Sequence, residues 1–244
     1  MSGHDNVVAV DGPSGSGKAT VSRGVAAALG LDVLDTGAMY RAVTLAALDE
    51  GIDLRDEAAC TEVADRVHVE LGRGKVRLDG RDVTDEIRGP HVTGSVSVVS
   101  AHPGVRAVLV ARQRAWVAQH HGGVVEGRDI GTVVFPDAAV KVFLTASDDE
   151  RARRRQHDET AARRDIGVDE VRAALARRDE LDSTRATSPL RRADDALVID
   201  TTTRTADDVV AQVVECFEAR ERASREASGS GGPSGPRRRR RSGR

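Results

Sequence analysis

Short apolar runs rich in β-branched residues alternate along the chain with longer stretches of helical periodicity. Residues 7–10, 32–34, 124–126, 140–144 and 196–199 are runs of the kind that fill strands buried on both faces. Between them lie helix-length segments. Residues 18–29 follow the first run, and residues 105–117 place apolar side chains at helical spacing. Residues 147–159 open on Ser147 followed by three acids, and Val209, Val210, Val213, Val214 and Phe217 form a single stripe. Strand alternating with helix predicts an α/β domain, with a five-stranded, doubly wound parallel sheet flanked by helices.

One stretch departs from that rhythm. Val67, Val69 and Leu71 alternate with His68 and Glu70, then Gly72-Arg73-Gly74 intervenes, Val76 and Leu78 resume, and Asp79-Gly80 turns again. A period of two with turn residues between predicts a small antiparallel β-meander inserted into the α/β core. From residue 224 onward the chain runs to Ser, Gly, Pro and Arg, which cannot pack a core, so a disordered tail is expected over 224–244. The expected organisation is one domain over residues 1–223, with an insertion near 61–92.

Composition narrows the class. Of 244 residues, 39% are apolar and 31% charged, which suits a globular chain in water. Aromatics make up only 2%, so stacking platforms for single-stranded nucleic acid are scarce. No run approaches the roughly 20 apolar residues of a membrane span, and the N-terminus lacks the order of a signal peptide, so a cytoplasmic protein is expected. The formal charge of −2 conceals six arginines in residues 228–244, leaving about −8 on the rest. An acidic body argues against nucleic-acid binding, except for weak contact of the tail with RNA or an acidic partner. Cys60 and Cys216 show no metal-ligand spacing and are expected to be inert and partly buried. A monomer is expected at this size.

The chemistry concentrates at four places, three of them where predicted strands end. Gly12, Pro13, Ser14, Gly15, Ser16, Gly17 and Lys18 match GxxxxGK at a strand-to-helix junction. There the glycines let backbone N–H groups converge on phosphate oxygens, and Lys18 adds a point charge. Ala19 stands where the general motif has a magnesium-binding hydroxyl, and Thr20 is the next one. The metal contact is therefore open, with Mg²⁺ arriving on the nucleotide. After the second run, Thr36 and Arg41 offer a hydroxyl and a cation suited to a second, phosphorylated substrate. After the third, Arg128 can fork onto a phosphate, and Asp129 can accept hydrogen bonds from a base or ribose. Arg178, Asp182 and Arg185 recur at i, i+4 and i+7 and so share one helical face. A guanine-reading NKxD is absent, since lysine occurs only at positions 18, 75 and 141.

In this order, VAVDGPSGSGK, LDTGAMYRAVTLAAL, DVTDEIR, VEGRDIGTVVFPDAAVKVFL, RRDELDSTRATSPL and DALVIDTT resemble the bacterial cytidylate kinases, from about residue 7 to 214. The resemblance implies ATP over residues 12–20 and CMP or dCMP in the facing crevice, with the meander insertion helping to form the acceptor side. It implies that Thr36, Arg41, Arg128 and Arg185 hold the CMP phosphate, that Arg178 and Asp182 lie near the sugar, and that Ser97, Arg106 and Asp129 read cytosine. It also implies a short lid over about 151–168, with Arg151, Arg154 and Arg155 as its arginine supply. Arg154 is grouped with Lys18, Arg128 and Arg185 as catalytic, though which lid arginine meets ATP stays open. Thr201 and Thr202 match positions that wrap adenine.

Overall fold

All five residues of the first strand are buried, and their side chains part to opposite faces. Val7 and Ala9 join one hydrophobic cluster and Val8 and Val10 another, so this strand lies at the centre of a sheet covered on both sides. The computed structural model describes residues 6–72, 74–161 and 167–229. In chain order the elements are β1 (Val7–Asp11), α1 (Lys18–Leu29), β2 (Val33–Asp35), α2 (Thr36–Asp49), α3 (Glu57–Arg66), β3 (Val69–Gly72), β4 (Lys75–Leu78) and β5 (Arg81–Asp82). A 3₁₀ turn, Glu86–Arg88, leads to α4 (Pro90–Val99), α5 (Pro103–His120) and β6 (Gly123–Gly127). A π-helical turn, Ile130–Val134, precedes β7 (Val140–Thr145), α6 (Asp148–Ala161), α7 (Val168–Thr184), β8 (Leu197–Asp200) and α8 (Ala206–Gly229).

The main sheet has the order β2-β6-β1-β7-β8, with every neighbouring pair parallel. One face is covered by α2, α3, α4 and α5, whose apolar residues meet Val7, Ala9, Leu34 and Val125. The other is covered by α1 and α8, where Val21, Val25, Val209, Val213 and Phe217 meet Val8, Val10 and Leu144. The predicted strands and the α1 bounds match the observed elements to within a residue or two, because apolar runs and a glycine loop are local signals.

The predicted meander forms a separate antiparallel sheet, β3-β4-β5, with Val76 and Leu78 turned into the core beside α2. The final helix runs on through Ser224 to Gly229, past the point where composition suggested a tail. Ion pairs from Glu218 to Arg222 and Glu221 to Arg225 support those turns from one turn upstream. The rest of the tail, 230–244, lies outside the described residues, as do residues 162–166 of the expected lid. Cys60 is buried as expected, but Cys216 is exposed on α8. Among the described residues, no single helix is long and apolar enough to cross a membrane.

Candidate active site

Between β1 and α1 the backbone is made for glycine. Gly12 has φ +147°, and a Cβ there would fall 2.1 Å from the carbonyl oxygen of Leu144, so no side chain fits. Gly17, at φ +88°, begins α1 without a side-chain cap, which leaves the first N–H groups of the helix uncapped by the protein. Ser16 Oγ turns inward to the Pro13 carbonyl at 2.9 Å, and Lys18 Nζ folds back onto the carbonyls of Gly12 and Pro13 at 2.8 and 2.7 Å. Gly12, Pro13 and Ser16 thus shape the loop from behind, while Ser14, Gly15, Gly17, Lys18, Ala19 and Thr20 line a cavity of about 950 Å³.

The opposite wall is built from the ends of β2 and β6 and from α4, α5 and α7. Thr36, Arg41, Ser97, Arg106, Arg128, Asp129, Arg178, Asp182 and Arg185 all line the same cavity. Asp35 caps α2 by accepting the Ala38 N–H at 2.9 Å, and the next residue, Thr36, donates its hydroxyl to the Glu126 carbonyl at 2.8 Å. Arg41 is anchored by the Ile87 carbonyl at 3.0 Å and Thr93 Oγ1 at 2.9 Å. Arg128 spans the cavity, donating Nη2 to Ser14 Oγ at 2.7 Å and Nε to Asp182 at 2.9 Å. Arg106 pairs with buried Asp129, lies 5.3 Å above the Tyr40 ring and donates to the Ser100 carbonyl at 3.3 Å. Arg185 stands 3.7 Å from Asp129 and 4.0 Å from Asp182.

Cations outnumber their carboxylates here. Burial, then the neighbouring Arg178 and Arg155, push Arg41 down to about 9. Burial and then Arg128 push Arg178 to about 10, and the same two causes lower Lys18 well below the ordinary amine value. Burial raises Asp182, but Arg128, Arg178 and Arg185 together outweigh it and hold the carboxyl below its usual range. Cations crowded into a low-dielectric wall form a site for a polyanion.

The lid arginines divide by position. Arg151 does not line the cavity; it binds Asp179, Asp148 at 2.6 Å and the Ser14 carbonyl at 3.2 Å, bracing the glycine loop. Arg154 does line it, and is held by Glu150 at 2.9 Å and by the hydroxyl and carbonyl of Thr201 at 2.9 and 2.7 Å. Arg155 also lines it and pairs with Glu159. Two expected segments lie at least partly outside the lining of this cavity. Thr201 and Thr202 do not line the cavity: Thr201 is buried with its Oγ1 3.1 Å from the Ser16 carbonyl, and Thr202 bonds Asp200 at 2.5 Å. Nor do the meander strands reach it; the segment after them does, through Arg88, Pro90, Thr93 and Ser97. The meander instead buries Val76 and Leu78 behind α2, supporting that wall from outside.

Sequence reasoning missed three residues here. Asp11 is buried beneath the Ile130–Val134 turn, Tyr40 lies under Arg106, and Glu126 is the next-to-last residue of β6, with Oε2 lacking a hydrogen-bond partner. Glu126 carried a signal, an acid near the end of an otherwise apolar strand.

A glycine loop at the end of the central strand, facing a cationic wall across the carboxyl edge of a parallel sheet, defines the P-loop kinase fold. A crystallised protein from Eubacterium ventriosum shares this fold at a TM-score of 0.50 and 10% identity, covering 88% of this chain and 99% of its own. The family model for cytidylate kinase matches residues 8–219, and the chain belongs to that family. It is 52% identical over 217 residues to the cytidylate kinase of Corynebacterium glutamicum, covering 87% of this chain and 94% of that one. To the cytidylate kinase of Mycobacterium leprae it is 50% identical over 216 residues, with coverage of 88% and 97%.

Proposed function

We propose that this protein transfers the γ-phosphoryl group of ATP to CMP or dCMP, giving ADP and CDP or dCDP in pyrimidine nucleotide metabolism. The observation that carries the reading is the line of cations, buried Arg41 and half-buried Lys18, Arg128 and Arg178, running from the glycine loop to the facing wall of one cavity. Phosphoryl transfer depends on in-line placement and charge neutralisation more than on covalent chemistry, so such a line suffices without a general base. ATP phosphates lie along residues 12–20 and meet Lys18, with Arg154 the lid arginine best placed to reach them. The CMP phosphate meets Thr36, Arg41, Arg128 and Arg185, and its sugar lies near Arg178 and Asp182. Cytosine lies against Ser97, Arg106 and Asp129, whose carboxylate accepts from the exocyclic amine.

Among the described residues no group of three or more His, Cys, Asp or Glu is arranged to cage a metal. The cavity wall does offer the Thr20 hydroxyl and Glu126, whose Oε2 is buried without a partner. That donor set fits a Mg²⁺ ion that takes most of its oxygens from phosphate and water. When bound, the ion neutralises charge on the β- and γ-phosphates. Residues 151–168 act as the lid and 61–92 as the acceptor-side insertion of a single catalytic domain. The protein works as a monomer in the cytoplasm, where these nucleotides are made.

The test is diphosphate formation from ATP·Mg²⁺ with CMP, dCMP, UMP, AMP and GMP in parallel. CMP or dCMP is expected to give the highest kcat/KM; a tenfold preference for AMP or GMP refutes the reading.

A further inference from the structure

Asp11 closes β1 just before the glycine loop, is 4% exposed and does not line the cavity. Its carboxylate points away from the loop it precedes. Oδ1 accepts the N–H of Ile130 at 2.9 Å and Oδ2 the N–H of Gly131 at 2.8 Å. These are the first two N–H groups of the π-helical turn, which a helix cannot satisfy from within. The cap therefore comes from another strand, 119 residues earlier in the chain. The turn begins where the backbone is irregular, at Asp129 with φ −142° and ψ 24°, and the N–H groups of Val133 and Val134 both return to the Asp129 carbonyl. Asp11 thus holds the turn that follows Arg128 and Asp129 directly.

We infer that Asp11 is a positioning residue coupling the glycine loop to the acceptor wall, by fixing the turn that aims Arg128 and Asp129. The inference rests on the proposed reading of the cavity as a two-substrate site. Residue chemistry supports it. A carboxylate is the small side chain with two acceptor oxygens, and both are used here. Serine offers one oxygen, and asparagine would set an NH₂ donor against one of the two N–H groups. Keeping a buried carboxylate is costly, and burial pushes Asp11 up to about 6 against the pull of the Gly131 and Ile130 N–H groups. The charged groups facing it are Asp129, which raises it further, and Lys18 from α1, which lowers it. Its register neighbours Gly127 on β6 and Phe143 on β7 carry no charge. A neutral core residue would avoid this cost, so the two hydrogen bonds are the reason an acid occupies the position.

The test is the substitution Asp11→Asn, with steady-state kinetics at pH 7.5. KM for CMP is expected to rise about tenfold while KM for ATP changes less than twofold, since the variant disturbs the turn and leaves residues 12–18 in place. Equal rises in both, or no change in either, overturn the coupling, because a merely structural role would not split the two constants. Should the variant fail to fold, ¹H–¹⁵N spectra of the wild-type chain from pH 5 to 8 serve instead. The amides of Ile130 and Gly131 are expected to move with a midpoint near 6, and the Nε–H signals of Arg128 and Arg106 to follow the same curve. Amides that titrate beside unmoving guanidinium signals, or amides that do not titrate, overturn the inference. Wild-type enzyme inactive on CMP would instead refute the two-substrate reading, and the spectra still judge the coupling.

Discussion

Glu126 is a carboxyl that weakens the fold it belongs to, and replacing it by glutamine measures by how much. It lies near the end of β6 in register with Asp35, and burial, then the Asp35 charge, raise it to about 7 against the opposing pull of Lys18 and Arg128. The unfolded chain returns the group to about 4.5. Between those values the native state holds more protons, so stability falls as pH rises through the window and the loss is complete above pH 7. At about 1.4 kcal/mol per pH unit, the total is at most about 3 kcal/mol. Glu126→Gln keeps the shape and removes the titration. Urea denaturation at intervals from pH 5 to 8.5 is expected to show the variant more stable than wild type by up to about 3 kcal/mol at pH 8, the difference shrinking steadily toward pH 5. A difference independent of pH refutes the reasoning. If the carboxylate is retained for Mg²⁺, the more stable variant also needs severalfold more Mg²⁺ for half-maximal turnover, the trade expected of a strained functional group.

Lys18→Met is expected to lower kcat at least 1,000-fold while costing less than about 2 kcal/mol of stability, since among the described residues Nζ bonds the two loop carbonyls alone; turnover assays and thermal melts check both. Gly12→Ala drives a Cβ against the Leu144 carbonyl, so ATP affinity by calorimetry is expected to fall at least 100-fold, with a clear drop in melting temperature. Asp129→Asn exchanges an acceptor for a donor beside Arg106. The ratio of kcat/KM for CMP over UMP is expected to fall about tenfold or more, because uracil presents an acceptor where cytosine presents an amine.

What the sequence made legible was what neighbouring residues specify by themselves. The β1 run, the loop glycines and the periodicity of α1 concern a few consecutive positions, and so do Thr36 and Arg41 at the end of β2. The i, i+4, i+7 spacing of Arg178, Asp182 and Arg185 also survives, though Arg185 falls just past the end of α7. Positions whose meaning depends on distant packing were opaque. Thr201 follows a strand like any other threonine, and only the return of β8 beside β7 sets its hydroxyl against Ser16. The meander has the right period, but period says nothing about which wall it backs. Asp11 reads locally as part of the glycine motif, because its partners lie more than a hundred residues away.

Those distant partners share a consequence. The glycine loop is tied to the rest of the cavity at its Ser14 hydroxyl by Arg128, at its Ser14 carbonyl by Arg151 and at its Ser16 carbonyl by Thr201. The strand leading into it is tied to the Ile130–Val134 turn by Asp11. Three of the four ties use a charged side chain that is buried or largely so, where a neutral packing residue would cost less to bury. Transfer between two bound nucleotides tolerates little error in separation, and a misplacement of about 1 Å can cost a factor of 100 in rate. A wall and loop held only by apolar contact can slide, whereas directional bonds from fixed guanidinium and carboxylate groups resist sliding. The buried charges are therefore best understood as setting the distance between donor and acceptor, with phosphate binding following from the cations left facing the cavity.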